Sequence, residues 1–222
     1  ASTTYPVTYE WYKVSATGSE TKIAGATSAT YSVPAGLAVG TYKYRVKATL
    51  LDCTLSKDAT VTIESAAVNT TYRTHVQRDG WQTPVTNGAV SGTEGKSKRL
   101  EVINISLEGN ENLGIQYTTH VQNYGWMPWA SNGDMSGTEG EAKRLEAIKI
   151  QLTGKDKDKY DVYYCVHAQS YGWLNWAKNG EAAGTAGFSK RLEAIRIIVV
   201  KKGSPAPTNM GTNSLAYISK DG

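Results

Sequence analysis

Apolar and polar residues alternate with a period of two along most of this chain, which predicts β-strands. The clearest case is Ala147-Ile148-Lys149-Ile150-Gln151-Leu152, which turns Ile148, Ile150 and Leu152 to one face. The same phase places Ile103, Ile105 and Leu107, and Ile195, Ile197 and Val199, on core faces of their own strands. Ile115 to Val121 alternates as well. Tyr72, Thr74 and Val76 form a further buried row, with Arg73, His75 and Gln77 on the opposite face. A third, shorter strand is predicted around Trp126 to Ala130. Nearer the front, strands are expected at Thr8 to Lys13, Ala29 to Val33, Gly40 to Ala48 and Thr60 to Glu64.

These strands recur as a unit. His75, His120 and His167 open three segments that align without a gap for 32 residues, starting 45 and then 47 residues apart. Each copy carries His-x-Gln, then Gly-Trp (Trp81, Trp126, Trp173), then Asn-Gly from Asn87, Asn132 and Asn179. Gly-Thr follows, and then Lys-Arg-Leu-Glu ending at Glu101, Glu146 and Glu193. Self-similarity at such a period marks a repeat architecture. The two extra residues fall in the charged stretch Gly154 to Asp161, which must therefore be a tolerant loop. Asn-Gly and Gly-Thr-x-Gly supply the positive φ of tight turns. The repeats span about 67–109, 110–154 and 155–202. Three strand units with open edges are expected to close around a pseudo-threefold axis, as a β-prism in preference to a β-trefoil, because only three strands per copy are legible.

Composition agrees with an all-β chain: 22 glycines and 14 tyrosines stand against one Phe and three Met in 222 residues. A net charge of +4, spread among interleaved acids and bases, offers no basic block for a phosphate backbone, so nucleic acid is excluded as the expected partner. No apolar run is long enough for membrane insertion. Cys53 and Cys165 define no disulfide framework and read as small apolar residues.

The pattern His-x-Gln-x-x-Gly-Trp, Asn-Gly, Gly-Thr-x-Gly, Lys-Arg-Leu-Glu-x-Ile-x-Ile resembles the ChW repeats, clostridial hydrophobic repeats with a defining tryptophan, over roughly Tyr72 to Val199. The resemblance implies a secreted or cell-surface protein of a Gram-positive bacterium, with an accessory role in attachment and no reaction of its own. Residues 1–66 resemble part of a bacterial immunoglobulin-like β-sandwich. Trp11 stands at the place of the core tryptophan and Tyr42 at the tyrosine corner, but there is no room in front for the first two strands. That truncation leaves an apolar face with Trp11, Val33, Tyr42 and Val46, expected to be covered by strands from another chain or copy, from Leu215 to Ser219 or from upstream residues. Residues 203–222 read as a linker or tail with a potential strand at Leu215 to Ser219, and further domains of the same polypeptide are expected on both sides.

Each repeat offers a tryptophan, a histidine and an asparagine. An aromatic face stacks on the C–H face of a pyranose while amides and carboxylates fix its hydroxyls. The candidate ligand-binding residues are therefore Trp81, Trp126, Trp129, Trp173, Trp176, His75, His120, His167, Asn87, Asn132 and Asn179. The partner expected is a polysaccharide or cell-wall glycan, alternatively a surface or host protein contacted by a structural spacer. Trp81, Trp126 and Trp173 have the stronger claim as core residues, whereas Trp129 and Trp176 replace Pro84 of the first copy and are the candidates for display. The histidines either converge as a zinc site or pair within their own repeat with Glu101, Glu146 and Glu193. The second reading is preferred, so no metal and no cofactor are expected. Cys165 with His167 would be a nucleophile and base, but the histidine recurs where Arg73 and Thr118 replace the cysteine, so no catalytic residues are assigned.

Overall fold

The computed structural model describes residues 5–34, 37, 40–63, 68–208 and 211–219. Two compact units divide the chain, Ala1–Ser65 and Ala66–Gly222. Glu64 and the expected boundary at 66–67 lie outside the described residues. No described helix is long and apolar enough to cross a membrane.

The N-terminal unit is a four-stranded antiparallel sheet. Strands β1 (Thr8–Val14), β2 (Glu20–Lys22), β3 (Gly40–Leu50) and β4 (Cys53–Ile63) lie in the order β2-β1-β3-β4. Its two faces differ because side chains alternate. One face carries an ionic ladder in which Glu20 bridges Arg45 and Lys47 at 2.8 and 2.6 Å, and Asp58 takes Arg45 and Lys43. The other face is apolar and carries Trp11. Residues 29–33, expected as a strand, are irregular; this coil lays Tyr31 between Trp11 and Tyr44, with ring centroids 5.7 and 5.6 Å away. The indole N–H of Trp11 donates to the Ser28 carbonyl at 2.9 Å. A loop of the same unit thus covers the Trp11 end of that face, in place of the outside strand expected there, and Tyr217–Ser219 pairs instead with Ala182–Ala186 of the second unit.

The second unit is all-β and built from three sheets. In each repeat an opening strand pairs antiparallel with a closing strand: Asn69–Val76 with Leu100–Glu108, Gly114–Val121 with Leu145–Thr153, and Tyr160–Ala168 with Leu192–Lys201. The predicted phase holds. Tyr72, Thr74 and Val76 are buried, as are Ile103, Ile105, Ile148, Ile150, Ile195 and Ile197, and the apolar members share one hydrophobic cluster contributed by all three repeats. The expected strand at 126–130 is broken. Gly125–Trp126 and Ala130–Ser131 pair separately with the opening strand, and the residues between include Pro128, which has no N–H to donate to a ladder.

The three sheets are joined by an exchange that the sequence did not announce. A short crossing strand from each repeat pairs with the closing strand of another: Ser91–Gly92 with Leu192–Lys201, Ser136–Gly137 with Leu100–Glu108, and Ala182–Ala186 with Leu145–Thr153. Repeat 1 gives to repeat 3, repeat 2 to repeat 1, and repeat 3 to repeat 2. The exchange closes a ring.

Glycine is required at the crossing. Gly92, Gly137 and Gly184 have φ of 115°, 121° and 123°. A Cβ there would run into the carbonyl oxygens of Glu193, Glu101 and Glu146 and lie 2.7 to 2.9 Å from the Cα of the following residue. These glycines, read from sequence as turn residues, serve close backbone approach instead. Buried tyrosines tie the same joints. The Tyr72 hydroxyl donates to the Ala89 carbonyl in its own repeat and accepts from the Ile197 amide of repeat 3 at 3.0 Å; Tyr117 does the same with Asp134 and Ile105. Thr74 and Ser91 share a buried hydroxyl hydrogen bond at 3.0 Å, as do Thr119 and Ser136 at 2.9 Å. In repeat 3 both positions become apolar, Val166 and Ala183, so neither leaves a partner unsatisfied.

Residues beyond 203, read as a linker or tail, fold back onto repeat 3. Tyr217–Ser219 forms a parallel strand beside Ala182–Ala186.

Candidate functional site

Each repeat builds the same cluster around its histidine. A β-bulge interrupts the ladder immediately after the histidine, and a tight turn then brings the chain back. Its αL residue is Arg78, Asn123 or Ser170, followed by a glycine at Gly80, Gly125 or Gly172. That return puts Trp81, Trp126 and Trp173 in register with His75, His120 and His167. Each indole meets its imidazole edge-on, with centroids 5.6, 5.5 and 5.7 Å apart at 82°.

Behind the histidine lies a buried glutamate. Glu101, Glu146 and Glu193 are nearly inaccessible, and one oxygen of each is held by the arginine two residues earlier, with Nη2 of Arg99, Arg144 and Arg191 at 2.7, 2.8 and 2.8 Å. The other oxygen lies 3.0, 3.2 and 3.1 Å from Nδ1 of the histidine, at ion-pair distance but without the alignment of a directed hydrogen bond. The histidines thus sit in three separate clusters, each facing the glutamate proposed for it from sequence. Among the described residues no group of three or more His, Cys, Asp or Glu is placed to hold a metal ion.

Cys165 shares its strand face with His167, but it is fully buried against Trp173 and Ala194. Burial pushes its thiol up to about 12, against which the charge of Arg196 works only partly. A thiol held protonated is a poor nucleophile.

Asn87, Asn132 and Asn179 adopt φ of 44° to 48° ahead of Gly88, Gly133 and Gly180, the left-handed pair of a tight hairpin turn. Their side-chain oxygens accept the backbone N–H of Thr70, Ile115 and Val162, each at 2.9 Å. The turn therefore uses the carboxamide oxygen, and the amide groups of Asn87 and Asn179 donate within their own repeats, to Asn69 Oδ1 at 2.9 Å and Asp161 Oδ1 at 2.8 Å.

The tryptophans diverge between repeats. Trp81 is half-buried beneath the Arg73 guanidinium, 4.7 Å from the ring centroid. Trp173 is 9 % exposed, and its indole N–H donates to Glu94 of repeat 1 at 3.2 Å. The tail adds to this cover: Asn213 donates to the carbonyls of Tyr171 and Trp173, and Trp176 donates its indole N–H to the Thr208 carbonyl at 3.0 Å. Repeat 2 is open. Trp126 is 36 % exposed and Trp129 46 %, with Tyr124 and Met135 exposed as well. Trp129, Met127, Pro128, Asp134 and Met135 line a groove of about 300 Å³ that ends at the crossing strand Ser136–Gly137. Sequence reasoning marks Trp129 and Trp176 as the candidates for display; Trp129 is exposed, whereas the tail holds Trp176.

This is a three-repeat β module in which one repeat keeps its aromatic face open. Residues 75–109, 120–154 and 167–201 each match the model of the ChW family, described as Clostridial hydrophobic W. The matches begin at the three histidines and cover the repeats alone. No curated protein and no solved structure matches the chain.

Proposed function

We propose that this chain is a non-catalytic binding part of a secreted or cell-surface protein, and that its repeat module attaches to a glycan or cell-wall polymer through the open face of repeat 2. The observation that carries this reading is the exposure of Trp126 and Trp129 beside a polar-edged groove, where the other two repeats cover or replace the same residues. Exposed indoles cost solvation and are the surfaces that pyranose rings stack on. A non-catalytic role is supported by recurrence: each histidine and glutamate occurs in triplicate, and the cysteine beside His167 is buried. The immunoglobulin-like kinship of the N-terminal unit belongs to the same proposal, supported by a sheet that flanks the Trp11 strand with β2 on one side and the Tyr42 strand on the other.

A screen of glycans and peptidoglycan fragments tests it. Binding lost in Trp126→Ala and Trp129→Ala and kept in Trp81→Ala is the expected result. Clean negatives across both ligand classes would favour a spacer or protein-binding module instead.

A further inference from the structure

The loop after the crossing strand reaches the His–Trp cluster of the repeat it crosses into in repeats 1 and 2. Glu139 of repeat 2 brings a carboxylate oxygen to 3.8 Å from Nε2 of His75 in repeat 1. Glu94 of repeat 1 accepts the indole N–H of Trp173 in repeat 3. Both glutamates occupy the x of Gly-Thr-x-Gly, and the ring thus brings a carboxylate to the histidine of one His–Trp cluster and to the indole N–H of another. In repeat 3 the same position is Ala186. The strand of repeat 3 pairs with the closing strand of repeat 2, whose cluster is His120 with Trp126, and at this position it carries a methyl group in place of a carboxylate. Among the described residues no carboxylate faces Nε2 of His120 or Nε1 of Trp126; the Lys149 ammonium sits 4.6 Å from the Trp126 ring centroid and adds positive charge.

We infer that the His120–Trp126 cluster of repeat 2 is a carboxylate-binding site filled from outside, and that its ligand is an acidic polysaccharide carrying uronic acid groups. This rests on the glycan reading above and narrows it. The two closed clusters show the chemistry: where the ring provides a glutamate, its carboxylate lies against the imidazole in one cluster and accepts the indole N–H in the other. Charge-assisted hydrogen bonds to a carboxylate are stronger than neutral ones, and Lys149 adds attraction at short range. The exposed indole of Trp129 remains for a pyranose ring beside the acid.

Calorimetry on the full chain with a panel of uronate oligosaccharides, and with the same oligomers carboxyl-reduced to neutral sugars, tests this. The acidic oligomers are expected to bind at one per chain, at least tenfold tighter than the neutral ones. Ala186→Glu, which installs the residue that positions 94 and 139 already carry, is expected to weaken acidic binding at least tenfold without lowering the melting temperature. Trp126→Phe keeps a ring and removes the N–H; it is expected to weaken acidic binding more than neutral binding and so narrow the ratio between them. Equal binding of acidic and neutral oligomers, or full binding by both variants, overturns the inference and leaves the glycan reading standing. No saccharide bound at all overturns both. Binding of an acidic peptide that Ala186→Glu abolishes, with no uronate bound, overturns the choice of polysaccharide.

Discussion

The hydroxyl of Tyr72 accepts the backbone N–H of Ile197 across 125 residues of chain, and the same oxygen donates to the Ala89 carbonyl. One phenol thereby satisfies two buried backbone groups at the seam where the third repeat meets the first, the joint that no short peptide connection holds. Tyr72→Phe leaves both groups without a partner in a site closed to water. Each unsatisfied buried group costs about 1–3 kcal/mol. Denaturant melts of the variant are expected to lose about 2–6 kcal/mol, and a loss below about 1 kcal/mol would show that water reaches the seam.

Gly137→Ala places a methyl group against the Glu101 carbonyl and the Val102 Cα at a φ of 121°. Gly133, at φ 99°, has open space around the same added atom. Gly133→Ala is expected to cost about 1 kcal/mol through backbone strain alone. Gly137→Ala is expected to cost at least about 3 kcal/mol, because backbone on both sides must move. Thermal melts of the pair read the difference directly.

Ile148→Ala and Ile195→Ala each remove a fully buried side chain from the cluster shared by all three repeats. Each is expected to destabilise the module by about 2–5 kcal/mol. Unchanged melting in both would mean these strands are out of phase by one residue.

High pH should open the ring. Burial pushes the Tyr72 and Tyr117 hydroxyls up to about 12, and Tyr164 further, while backbone hydrogen bonds partly offset the shift. The folded pKa of Tyr72 and Tyr117 thus lies above the unfolded value near 10. Their contribution is complete below pH 10 and lost as pH rises towards 12, at about 3 kcal/mol per tyrosine. Titration of the tyrosinate absorbance alongside circular dichroism is expected to show these phenols ionising only as the module unfolds. Ionisation of all the tyrosines near pH 10 with the fold intact would contradict it.

The register of the long strands was legible because period-two alternation and the gapless frame agree, and Asn-Gly named its own turn. The crossing strands were not. Two residues, Ser-Gly, carry no periodicity, and nothing local says that their partner lies in another repeat. Gly92 and its counterparts were visible as recurring glycines, yet a turn and a close approach look alike in sequence. Tyr72, Tyr117 and Tyr164 recur three residues before each histidine, a signal outside a frame opened at the histidine. The burial that separates Trp176 from Trp129 depends on the tail folding back, and Thr208 and Asn213 lie far from the indoles they cover in the chain. Ala186 in place of glutamate was in plain sight, but it has meaning only once the crossing shows which cluster it faces.

The exchange of crossing strands sets how these repeats can be counted. A lone copy has one vacant berth on its closing strand and one strand with nowhere to dock, and so does a run of two; the third copy removes both faults at once. A fourth would restore them. The seam from the third repeat back to the first carries no peptide bond, so where the chain is cut does not matter to the assembled object, and a permuted gene beginning at the second repeat should give the same structure. Neither must the copies be covalently joined: one repeat per molecule, gathered in threes, satisfies every strand in the same way.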